Sequence, residues 1–112
     1  PDSIVELGNT AFKNCVSLEN IDLSGIREIG NNTFEGCTSL ASVDLSSVNT
    51  IGNYAFKGCT ALTELNIPLS VGYIKTGAFK GCTALTSVTI RDNCRLDMNV
   101  FPDTVEVNYA EG

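Results

Sequence analysis

Thiols are the softest metal ligands and among the strongest nucleophiles a chain can carry, and here they recur on a beat. Cys15, Cys37, Cys59 and Cys82 stand at steps of 22, 22 and 23 residues, with Cys94 off the beat. Residues one period apart in stacked coils have Cα atoms about 4.8 Å apart, inside the disulfide range. Their Cβ atoms then lie equally far apart and point the same way, whereas a disulfide wants roughly 3.5–4.5 Å. Zinc asks for four ligands around a point, which a linear column does not supply. The four thiols therefore read as reduced, buried, small hydrophobes. Cys94 reads either as core filler or as a free thiol. Asp22 and Asp44 are also one period apart, with Asn66 and Thr89 continuing their column. Stacked carboxylates have the oxygen chemistry that calcium favours, and they equally make a solvated acidic stripe. The chain has no histidine, so the commonest general base and metal ligand is missing. The expectation is a protein that is not an enzyme and holds no cofactor and no metal.

The elements that position these residues follow the same period. Phe12, Phe34, Phe56, Phe79 and Phe101 are spaced by 22, 22, 23 and 22 residues. The stretch Leu40 to Phe56 states the pattern in full: Leu40-x-x-Val43-x-Leu45, then Val48-x-x-Ile51-Gly52, then Ala55-Phe56 with Cys59 after it. A fixed period in the twenties with an L-x-x-L-x-L core is the signature of a leucine-rich-repeat solenoid. The fold class read from it is α/β: a right-handed, horseshoe-like solenoid with a parallel sheet, one short strand and one helical turn per repeat of 22–23 residues. Residues 1–112 make one domain. A partial repeat spans 4–12, full repeats span 13–34, 35–56 and 57–79, a degenerate one spans 80–101, and a cap spans 102–112. The chain opens inside a repeat and reads as part of a longer protein.

Within a repeat, Ile21-x-Leu23, Val43-x-Leu45, Leu65-x-Ile67 and Val88-x-Ile90 alternate with polar residues, which predicts short strands with one buried face. The segment around Ser47 to Ile51 reads as a second extended piece on the opposite wall. Gly8, Gly30 and Gly52 mark a turn, Asn9, Asn31 and Asn53 follow as helix caps, and Ala-Phe-x-x-Cys reads as one helical turn. The extra residue of the third full repeat falls within Pro68 to Tyr73, as a loop or bulge. Val105-x-Val107-x-Tyr109 reads as a last strand. The predicted main strands turn Asn20, Asp22, Ser42, Asp44, Glu64, Asn66, Ser87, Thr89 and Arg91 outward, and this polar column is the candidate partner-binding face.

The string I-G-x-x-A-F-x-x-C-x-x-L-x-x-V-x-L resembles the BspA-like (treponemal-type) subclass of leucine-rich repeats. Ile51-Gly52, Ala55-Phe56, Cys59 and Leu62 carry it, Ile29-Gly30, Phe34, Cys37 and Leu40 precede it, and Ile74, Ala78-Phe79, Cys82 and Leu85 continue it. Lys75 departs from the pattern where Gly is expected, and Thr33 where Ala is. The resemblance implies a cell-surface or secreted protein used in adhesion or host interaction, with no active-site residues to carry over. Seven basic against thirteen acidic residues, a net charge of −6, argue against nucleic acid and anionic membranes as partners. No apolar run approaches the roughly 20 residues that span a bilayer, so no membrane insertion is expected. The expected partner is a protein or glycan ligand, with self-association through the N-terminal edge of the stack; the alternative is a structural spacer carrying other domains.

Overall fold

The computed structural model describes residues 6–110. A period-22 chain cannot bury its apolar side alone, so each coil packs on the next and the coils form a parallel β-solenoid. The five-stranded wall comprises β1 (Glu6–Leu7), β2 (Glu28–Ile29), β3 (Thr50–Ile51), β5 (Tyr73–Ile74) and β7 (Arg95–Leu96) in that order. The three-stranded wall comprises β4 (Glu64–Asn66), β6 (Ser87–Arg91) and β8 (Glu106–Ala110). Ile4, which opens the first partial repeat, lies outside the described residues.

Between the walls the periodic residues form continuous columns. Phe34, Phe56 and Phe79 are fully buried, and the five Phe rings stack with centroids 5.1–5.6 Å apart and planes within 16° of parallel. Cys37, Cys59 and Cys82 are buried and unbridged. Their thiols do more than fill space: each Sγ donates to the Phe carbonyl of the coil before it, at 3.1–3.2 Å on Phe12, Phe34 and Phe56. Burial pushes the Cys59 thiol up to about 12 and Cys82 to about 11.

The helical turn expected at Ala-Phe-x-x-Cys does not form, and no helix occurs among the described residues. The reason lies in how the amides are shared. Asn32, Phe34 and Gly36 donate to the carbonyls of Asn53, Ala55 and Lys57 in the next coil at 2.7–2.9 Å. The alternate amides, Glu35 and Cys37, close four-residue turns on Asn32 and Phe34. A helix keeps all its amides within the segment, whereas this segment spends every second one along the stack. Positive φ at Asn32 (59°) and Gly36 (77°), repeated at Tyr54 and Gly58, aims the groups outward. Asn31 and Asn53 cap no helix. Each side-chain carbonyl accepts the amide one coil on: Asn9 from Asn31, Asn31 from Asn53, Asn53 from Thr76.

The two walls also exchange importance relative to the expectation. The wall around Ser47 to Ile51 is the continuous sheet, and the segments at Ile21-x-Leu23 and Val43-x-Leu45 do not pair as strands. Leu23 and Leu45 are buried as the alternation requires. The expected closing strand is β8, in parallel register with β6 from Ser87↔Glu106 to Arg91↔Ala110. Thr33, in an Ala position, is fully buried and satisfies its hydroxyl by donating toward Gly8 O and Gly30 O at 3.0 and 2.8 Å.

Candidate functional site

Period-2 alternation on β4 and β6 buries Leu65, Val88 and Ile90 and leaves the residues between them outward. Strand pairing then fixes a lattice: Glu64, Ser87 and Glu106 form one column, and Asn66, Thr89 and Asn108 the next. Ser42, Glu64, Asn66, Ser87 and Thr89 surround an open depression of about 400 Å³ floored by Val43 and Leu65. Asp44 borders a neighbouring hollow of about 290 Å³ with Ser46, Asn66 and Pro68. Asn20 and Asp22 are exposed and line neither depression. Arg91 closes the end of β6 beside Ala110, with its Nη1 buried and without a hydrogen-bond partner among the described residues.

The two aspartates are committed locally. Asp22 Oδ1 accepts the Ser24 amide at 2.9 Å, and Asp44 Oδ1 accepts the Ser46 amide at 3.0 Å. The Ser24 amide and hydroxyl hold the Asp22 carboxyl below its usual range, and the Ser46 hydroxyl and amide do the same for Asp44. Among the described residues no group of three acids or cysteines is placed to hold a metal. The arrangement is hydrogen-bonding chemistry on an open surface, donors and acceptors side by side at sheet spacing.

Two groups escaped the sequence reading. Glu106 and Asn108 extend the polar lattice through β8, a strand read there only as an end. On the opposite wall, Tyr73 of β5 stands beside Arg95 of β7, with the guanidinium 4.8 Å and the Lys75 ammonium 5.7 Å from its ring centroid. Tyr73 donates to Asp97 Oδ2 at 2.9 Å, a bond that favours the protonated phenol and raises its pKa. The departure of Lys75 from the Gly pattern was the signal pointing there.

A family model described as a BspA type leucine rich repeat region, in 6 copies, matches residues 1–108. Among solved structures, the chain is similar to a leucine-rich repeat protein from Bacteroides ovatus ATCC 8483. The TM-score is 0.69 and the identity 28%, covering 98% of this chain and 41% of that one. It is also similar to the T. pallidum leucine rich repeat protein (TpLRR), with TM-score 0.58, 29% identity, 93% of this chain and 66% of that one. The chain thus spans less than two thirds of either protein's length. The comparison with curated proteins found no match.

Proposed function

The chain belongs to the BspA-type leucine-rich repeat family, and from that premise we propose that it is a non-catalytic interaction module of a cell-surface or secreted protein. The module takes a protein or glycan ligand on the wall of β4, β6 and β8, in adhesion or host interaction. The observation that carries this reading is the in-register polar lattice around the 400 Å³ depression. Rigid strands present Glu64, Asn66, Ser87 and Thr89 at fixed spacing, and preorganised donors and acceptors lower the ordering cost of binding. Among the described residues, no helix is long and apolar enough to cross a membrane.

The second reading is a structural spacer, favoured by one feature of the same wall. Protein interfaces concentrate aromatics and Arg at their centre, and the nominated face carries Arg91 alone. Binding of the chain to a glycan array and to a panel of extracellular-matrix proteins separates the two. The module reading expects at least one hit that Asn66→Ala with Thr89→Ala abolishes while the fold stays intact. No hit on either panel, or hits indifferent to both substitutions, leaves the spacer.

A further inference from the structure

The five-stranded wall carries a column whose charge reverses along its length. Its outward residues, in strict register, are Glu6, Glu28, Thr50, Tyr73 and Arg95. Glu6, Glu28 and Arg95 are exposed. Two residues further along each coil stand Gly8, Gly30, Gly52, Lys75 and Asp97. The acidic half is concave: Glu6, Gly8, Glu28, Gly30, Gly52 and Lys75 line a trough of about 370 Å³. At the other end of the column Tyr73 carries the Arg95 guanidinium and the Lys75 ammonium near its ring.

We infer that this wall is a self-complementary docking surface whose occupant is a second copy of this chain. A twofold axis lying along β3 brings two such walls face to face with their stacks running in opposite senses. Thr50 then meets Thr50, Glu6 meets Arg95, and Glu28 meets Tyr73 and Lys75. The Lys75 side chain of each copy falls over Gly30 of the other, where its counterpart has none, on the trough that Glu6 and Glu28 line. Asp97 falls over Gly8 and stays held by Tyr73 and Arg95 of its own copy. The other face-to-face arrangement, with stacks running in the same sense, sets Glu6 against Glu6 and Arg95 against Arg95. The charge order therefore selects one register, which is what interfacial charge does best, and an isologous contact closes at two copies. The dimer leaves both polar walls of β4, β6 and β8 outward, so one assembly offers two copies of the binding lattice and gains by avidity.

Sedimentation velocity on the 112-residue chain, across a concentration series at low and physiological salt, tests this. The expected result is a monomer–dimer equilibrium that stops at two and weakens as salt rises, because the paired charges are at a surface. Glu28→Lys and Lys75→Glu each raise the dissociation constant by about tenfold or more, and the double variant, which restores opposite charges in exchanged places, recovers most of the affinity. Glu6→Arg with Arg95→Glu, both at exposed positions, repeats the cycle if Lys75→Glu fails to fold. A chain monomeric at every concentration overturns the inference. So does association that grows beyond two, as pairing through the ends of the stack requires. So do single charge reversals without effect, no recovery in the double variants, or a dimer that tightens with salt.

Discussion

Phe56→Ala is the sharpest probe of how this stack holds together. Phe56 is fully buried between Phe34 and Phe79, with both centroid distances 5.1 Å. Truncating a buried Phe costs about 3–5 kcal/mol, and two ring stacks worth about 0.5–1.5 kcal/mol each beyond area put this site at the upper end. A domain of this length has roughly 6–17 kcal/mol of stability at about 0.05–0.15 kcal/mol per residue, so one ring is a large share. Phe12 is half-buried and stacks on Phe34 alone, at 5.5 Å; Phe12→Ala costs about half as much, roughly 1.5–2.5 kcal/mol on the same scale. Phe56→Leu keeps most of the volume and loses both stacks, about 1–3 kcal/mol. Urea unfolding read at constant slope gives all three values. A Phe56→Ala cost under about 1 kcal/mol, far below the range for a packed core, would refute the burial argument. Equal costs at Phe12 and Phe56 would refute the picture of a column whose middle is held from both sides.

Thiol titration of the native chain should modify Cys15 and Cys94, both half-buried, and spare Cys37, Cys59 and Cys82; denatured chain should give five. Because burial raises the folded-state pKa of Cys59 from 9.0 to about 12, its contribution to stability is whole below pH 9. That contribution falls as pH rises toward 12, and an unfolding midpoint flat across that window would contradict it. Gly52→Ala puts a Cβ 2.6 Å from the Gly30 carbonyl carbon and 2.8 Å from the Asn31 amide, a backbone clash that should cost about 1–3 kcal/mol. Gly8→Ala meets nothing within 4 Å and should stay within about 0.5 kcal/mol of the parent in the same unfolding assay. Far-UV circular dichroism should show extended structure and turns without a helical signature, and a helix-dominated spectrum would contradict the fold.

What the sequence disclosed and what it hid divide along a physical line. Burial was legible because it is periodic: Leu45, Ile51, Phe56 and Cys59 recur at one spacing and end on one side. Hydrogen bonding was not, because side-chain spacing does not say where an amide points. Ala55, Phe56 and Cys59 have helical spacing, and only the positive φ at Tyr54 and Gly58 tells that the turn opens toward its neighbours. The same blindness made the alternating Val43-x-Leu45 look like a ladder when only its burial follows the pattern. In the polar face, the columns through Glu64 and Asn66 were legible from alternation. Tyr73 and Arg95 were not, because the extra residue before Tyr73 and the decayed pattern before Arg95 obscure that they are cross-strand neighbours.

The asparagine column has a consequence for how such a protein changes size. Asn31 and Asn53 each accept an amide from the coil after and lend their own amide to the coil before, so these coils present the same lock above and the same key below. Tandem duplication of one 22-residue unit would therefore recreate, on both sides of the insert, the joint it interrupted. Length becomes a quantity that a gene can adjust in whole steps, while the chemistry displayed on each step is free to drift.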